Sequence, residues 1–143
     1  RSPSGTRACS VPQARRTAAS RPVPASRSAV RGPSVRSVPE PSGLVHPTSP
    51  MQLRRLPSTG DLVCIWNHSE THRWPLTAAV SRDDGHSWQG CRDLEVETPG
   101  VSQFAYASLV FHQGRALMTY WVADQAGLNL KFRSLPERWF YGQ

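Results

Sequence analysis

The chain has 143 residues, with 17 Lys and Arg against 10 Asp and Glu, and a formal net charge of +7. This length allows one ordinary domain. No run approaches the roughly 20 apolar residues of a membrane-spanning helix, so we predict no membrane span. The three cysteines lack metal-site spacing, and neither a metal nor a cofactor is expected. The sequence leaves the cellular compartment open.

Basic charge and aromatic residues lie in different parts of the chain. The first 46 residues hold eight arginines, seven prolines, nine serines and one acidic residue, without any aromatic residue. From Pro47 onward nine basic residues meet nine acidic ones, and every aromatic residue lies there. A stretch so poor in apolar surface cannot offset the entropy of ordering it. We therefore predict a disordered tail over residues 1–43 and a folded domain over residues 44–143.

The arginine-rich tail has three interpretations. The first is a linker, or a spurious translation of a misread gene end, which a start at Arg1 would fit. The second is a transit peptide, although the prolines oppose an amphipathic helix. The third is an arm that binds polyanions weakly. Because no aromatic residues are interleaved for base stacking, we predict no specific nucleic-acid partner.

After residue 50, short apolar runs alternate with turn residues at intervals of about 8–12 residues, which is typical of antiparallel β-structure. The predicted strands cover residues 51–56, 62–66, 76–81, 91–96, 106–112, 116–122 and 128–134. We expect two four-stranded units in series, the second cut short or completed by residues 138–141. This order suggests adjacent blades of a β-propeller, and two blades alone leave two apolar faces open. The remaining blades are thus a required partner.

Residues 81–88 match the turn pattern Ser-x-Asp-x-Gly-x-Ser/Thr-Trp, known as an Asp-box. In such a turn the aspartate accepts hydrogen bonds from the turn, the glycine takes a positive φ, and the tryptophan buries its ring. The match predicts a structural turn between two strands, with a scaffolding role. Its defined positions are Ser81, Asp83, Gly85, Ser87 and Trp88.

The segments around this turn are similar to the C-terminal blades of the sialidase (neuraminidase) family. Residues 53–67 resemble a strand pair that opens a late blade, and residues 73–77 resemble the family's arginine segment before the Asp-box. Residues 104–109, Phe-Ala-Tyr-Ala-Ser-Leu, resemble the segment that carries the nucleophile. The resemblance implies an all-β fold, as part of a six-bladed propeller over residues 44–143.

The resemblance also implies a site for a sialoside or other glycan. Tyr106 would be the nucleophile, Arg73 would grip the carboxylate of the sugar, and Asn67 and His68 would line the site. A planar guanidinium suits a carboxylate, and sialidases use a tyrosine in place of the usual carboxylate nucleophile. The simpler alternatives are a core tyrosine, a solvated arginine and a loop turn at residues 67–68.

Loop positions give an expectation that does not depend on the family. Loops of an antiparallel unit alternate between its two ends, so Arg73 and Tyr106 should share one end, opposite the Asp-box. The function expected for the full-length parent is retaining hydrolysis of terminal sialic acid or a related anionic sugar. This chain alone would be an inactive fragment. The alternative is a non-catalytic propeller that binds carbohydrate or serves as a scaffold.

Overall fold

The computed structural model describes residues 41–143, so nearly all of the predicted tail lies outside the described residues. The described part is all-β, as predicted, with seven strands in two antiparallel sheets. The first sheet contains, in order, β1 (Gln52–Arg55), β2 (Leu62–Asn67), β3 (Leu76–Ser81) and β4 (Gln89–Glu95). The second contains β5 (Val101–His112), β6 (Arg115–Asp124) and β7 (Gly127–Pro136).

Strand β2 is a continuous apolar run because both faces of the first sheet are covered. Val63 and Ile65 point into the main core between the sheets, whereas Cys64 and Trp66 point into a smaller cluster on the other face. Cys64 is a free, buried thiol, so it forms no disulfide with Cys91. Burial raises the pKa of the Cys64 thiol to about 12.

The second sheet alternates between buried and exposed positions. On β6, Ala116, Met118, Tyr120 and Val122 point into the main core, while the intervening Trp121 is exposed. This period of two matches a strand with only one covered face. Burial therefore distinguishes the two sheets: β2 and β3 of the first sheet are covered on both faces, whereas the second sheet is covered on one. Among the described residues there is thus one open apolar face where two were expected.

The uncovered face of the second sheet is apolar. The register places Leu128, Leu130 and Phe132 of β7 opposite Ala123, Trp121 and Thr119 of β6. These three β7 side chains are 56%, 65% and 66% exposed. We call this surface the outer face. It comprises Val110, Leu117, Trp121, Leu128, Leu130 and Phe132.

The C-terminal aromatic segment does not add a fourth strand to the second sheet. Glu137–Tyr141 forms a 3-10 turn that packs against β3 and β4 of the first sheet. The Tyr141 hydroxyl donates to Asp61 Oδ2 at 2.6 Å, and the Arg92 guanidinium lies 4.6 Å from the Trp139 ring centroid. These contacts hold the C-terminal turn against the first sheet, away from the edge of β7. The second unit therefore has three strands among the described residues.

Candidate functional site

Arg73 and Tyr106 meet where the first sheet joins the second. Arg73 lies in the loop between β2 and β3, and its carbonyl accepts a hydrogen bond from the Phe104 backbone N–H at 2.9 Å. This link brings β5 beside the loop, two residues before Tyr106. The guanidinium carbon of Arg73 lies 5.8 Å from the centroid of the Tyr106 ring. The structure thus brings together the two residues that the sequence placed at one end.

The Arg73 side chain is held by uncharged groups. Its Nη1 donates to Gln103 Oε1 at 3.2 Å and its Nη2 donates to the Thr48 carbonyl at 3.3 Å. Within residues 41–143 it forms no ion pair with a carboxylate. The Arg73 residue is partly buried, and a guanidinium with no carboxylate partner is suited to an incoming anion.

Tyr106 has an unusual backbone conformation. Its φ is 54°, and it lies where the β5–β6 register shifts between Ala105 and Ser108. A bulky residue in this left-handed region costs about 1–3 kcal/mol, and such strain is concentrated at functional sites. The bulge leaves the side chain 50% exposed, with its ring centroid 5.1 Å from that of Trp121.

The structure corrects the position of Tyr106 within its strand. The sequence pattern placed it at the start of a strand, but β5 begins at Val101, directly after the turn at Pro99 and Gly100. The segment from Val101 to Ala105 pairs with the end of β6. Tyr106 therefore lies in the middle of a long strand, and the bulge turns it outward.

Asn67 and His68 lie where β2 ends and the loop that carries Arg73 begins. Asn67 is only 1% exposed, and its Nδ2 donates to the Phe104 carbonyl at 2.9 Å. Its side chain thus holds the strand that carries Tyr106 against the end of β2. His68 is partly buried, and its ring centroid lies 5.4 Å from the Trp66 ring. Direct contact of either residue with a sugar stays a prediction.

The Asp-box forms the hydrogen-bonded turn that its sequence predicts. Asp83 Oδ1 accepts from the Ser81 hydroxyl and from the Ser87 backbone N–H, both at 2.8 Å. Its Oδ2 accepts from the Ser87 hydroxyl at 2.6 Å. Gly85 has a φ of 96°, and Trp88 packs against the smaller apolar cluster. Each defined position therefore has a structural role.

The Asp-box and the Arg73–Tyr106 pair lie at opposite ends of the first sheet. Arg73 precedes β3 and Ser81 ends it, so the six residues of this strand separate them by about 20 Å. The turn can therefore contribute to the site only by fixing β3 and its neighbours.

Acid should weaken the Asp-box. Hydrogen bonds from the Ser87 hydroxyl, the Ser87 backbone N–H and the Ser81 hydroxyl lower the Asp83 pKa from 3.8 to about 2. Its contribution to folding is thus fully present above about pH 4 and is lost as the pH falls through about 2. We expect Asp83→Asn to lower the urea midpoint at about pH 6 and to have less effect at about pH 2.5.

Asp84→Asn is the matched control for this measurement. Asp84 lies next to Asp83, but its ion pair with Arg55 at 2.9 Å is largely exposed. Exposed pairs contribute up to about 1 kcal/mol, so the midpoint should move little. An Asp83→Asn effect of the same size at both pH values would contradict the role assigned to the carboxylate.

A second polar cluster crosses between the sheets beside this site. The Tyr120 hydroxyl donates to Glu95 Oε1, which also meets Lys131 Nζ at 3.1 Å and Arg133 Nη2 at 3.2 Å. The Glu95 side chain is only 11% exposed. Burial, and then the hydrogen bond to Glu95, raise the pKa of Tyr120. No sequence pattern predicts this cluster, because its members come from three strands on two sheets.

The described residues contain no cluster of three or more His, Cys, Asp and Glu side chains suited to a metal ion. In the same part of the chain, no helical segment is long and apolar enough to cross a bilayer. Comparison of the chain with protein-family models, curated proteins and solved structures gives no match.

Proposed function

We propose that the chain is part of a sialidase-like β-propeller and that Arg73 and Tyr106 belong to its site for terminal sialic acid or a related anionic sugar. The observation that carries the proposal is the Arg73 guanidinium over the ring of a strained, half-exposed tyrosine. The reaction would be retaining hydrolysis by the complete protein. Blades beyond the described sheets would supply the acid, the base and further arginines.

The two residues have complementary chemistry for this reaction. Arg73 would bind the carboxylate of the sugar through its planar fork of donors. In the first step the Tyr106 oxygen would bond to the anomeric carbon while the aglycone leaves with a proton from an acid. In the second step water would displace the tyrosine and release the sugar. Because an ordinary tyrosine has a pKa near 10, a base must take the phenolic proton.

Three features of the fold support a propeller. Both carboxylate oxygens of Asp83 accept hydrogen bonds within the Asp-box turn, the two antiparallel sheets follow one another along the chain, and the outer face is apolar and open to solvent. A blade of a propeller packs both of its faces against neighbours. The outer face is the surface that a further blade would cover.

Binding of a sugar without hydrolysis is the second candidate function. The exposed rings of Tyr106 and Trp121 lie side by side, with centroids 5.1 Å apart. Aromatic rings offer an apolar surface to a sugar ring, and this contact needs no acid or base. Lack of an Asp/Glu pair in the remaining blades would favour this function over hydrolysis.

Binding of a methyl α-sialoside, followed by NMR titration of the chain, tests the proposed site. We expect Arg73→Gln to weaken binding by about 10–100-fold, because a charge-assisted hydrogen bond contributes about 1.5–3 kcal/mol. Arg115→Gln is the matched control, since Arg115 is exposed and its guanidinium contacts Ser134. Equal affinity of the unmodified protein for a neutral methyl galactoside would contradict an anionic-sugar site.

A further inference from the structure

Strand β7 forms an open edge of the second sheet. It has ten residues, and its strand partner among residues 41–143 is β6 alone. Six consecutive residues, 127–132, are exposed. A long edge strand with apolar side chains and free backbone groups is a template for pairing with another strand. This edge is separate from the Arg73–Tyr106 pair, which lies on other elements.

The two faces of β7 have different chemistry. Leu128, Leu130 and Phe132 lie on the outer face, while Asn129 and Lys131 face the side on which Lys131 reaches Glu95. A strand added to this edge must match an apolar row on one face and a polar, positively charged row on the other.

A second copy of β7 meets both requirements in one antiparallel register. With Leu130 opposite Leu130, each Leu128 lies opposite a Phe132, which keeps the outer row apolar. On the other face each Asn129 lies opposite a Lys131, and no like charges oppose one another. Directly opposed residues of an antiparallel pair share a face, so the side-chain pattern of the two copies agrees.

The neighbouring registers are less favourable. A pair centred on Lys131 places the two Lys131 ammonium groups opposite each other. A pair centred on Phe132 places Lys131 opposite Arg133. Like charges in directly opposite positions destabilise a strand pair. A pair centred on Asn129 keeps only five residues of each strand, 127–131, within the ladder.

We propose that β7 pairs with β7 of a second copy of this chain, in the antiparallel register centred on Leu130. The pair joins two three-stranded sheets into one sheet of six strands across a twofold axis. This proposal goes beyond the sugar site and does not depend on it.

Sedimentation velocity of the chain Arg1–Gln143 over roughly a hundredfold range of concentration tests the association. We expect a reversible dimer, and Leu130→Lys should weaken it at least about tenfold, since it places two ammonium groups at the centre of the pair. Leu130 is 65% exposed, so this change leaves the core intact, which circular dichroism checks. A monomer at every concentration would overturn the proposal.

Val110→Lys separates pairing at the edge from packing of the outer faces. Val110 is 60% exposed on the same face but lies on β5, at the other edge of this sheet. If the chains pair at the β7 edge, the dimer of the Val110→Lys variant should dissociate at the same concentration as the dimer of the unmodified chain. Loss of the dimer in both lysine variants would show that the faces pack together and would overturn edge pairing.

Cysteine crosslinking tests the register. Leu130→Cys should form an intermolecular disulfide under mild oxidation, because the two positions oppose each other. The two copies of position 128 lie four residues apart along the pair, about 13 Å, which exceeds the reach of a disulfide. Leu128→Cys should therefore crosslink no more than the unmodified chain. Equal crosslinking at both positions would overturn the register.

Discussion

Tyr106→Phe is expected to lower the hydrolysis of an aryl sialoside by about 10³-fold or more in a protein that contains this chain and the remaining blades. The change removes only the phenolic oxygen that would attack the anomeric carbon. The ring that lies beside Arg73 and Trp121 is kept, so the affinity for the sialoside should change by less than about threefold. Initial rates and binding of a non-hydrolysable analogue measure the two effects separately.

Tyr141→Phe is the matched control for this experiment. It makes the same chemical change in the C-terminal turn, where the Tyr141 hydroxyl donates to Asp61. The rate of hydrolysis should stay at the level of the unmodified protein. If the protein hydrolyses the substrate and Tyr106→Phe leaves the rate unchanged, Tyr106 is not the nucleophile.

Glu95→Ala should lower the free energy of unfolding by about 2–3 kcal/mol. The carboxylate is 11% exposed and receives the Tyr120 hydroxyl, Lys131 and Arg133. Without it, the Tyr120 hydroxyl loses its acceptor and two cations lose their counter-charge. Urea unfolding monitored by tryptophan fluorescence measures the change in the unfolding free energy.

Lys131→Ala removes the more exposed of the two ion pairs of Glu95. The Lys131 side chain is 50% exposed, so its ion pair should contribute less than about 1 kcal/mol. If Glu95→Ala and Lys131→Ala lower the free energy of unfolding by the same small amount, Glu95 contributes only through a surface ion pair. The difference between the two variants therefore measures the importance of burying this carboxylate.

The sequence predicted strands well where apolar runs are bounded by turn residues. Strand β3 has the predicted bounds, 76–81, because it is buried along its whole length and lies between Pro75 and the Asp-box turn. The start of β5 was predicted five residues late, at Tyr106 instead of Val101. A bulge and a positive φ at Tyr106 break the alternation on which such predictions depend.

The candidate site could be predicted only in part. Loop positions alone placed Arg73 and Tyr106 at one end, because strand direction alternates along the chain. The burial of Asn67 was not predictable, because its partner is a carbonyl 37 residues away. The contact of Trp121 with Tyr106 was not predictable either, because it depends on the bulge of the neighbouring strand.

Phe104 is held to the first sheet through both polar groups of its backbone. Its N–H donates to the Arg73 carbonyl and its carbonyl accepts from Asn67, each at 2.9 Å. Arg73 and Tyr106 therefore keep their spacing only while the two sheets are docked. A ligand that bridges these residues binds the docked form alone, so by mass action it raises the melting temperature of both sheets together. The two backbone hydrogen bonds of Phe104 would thus couple the affinity for such a ligand to the docking of the two sheets.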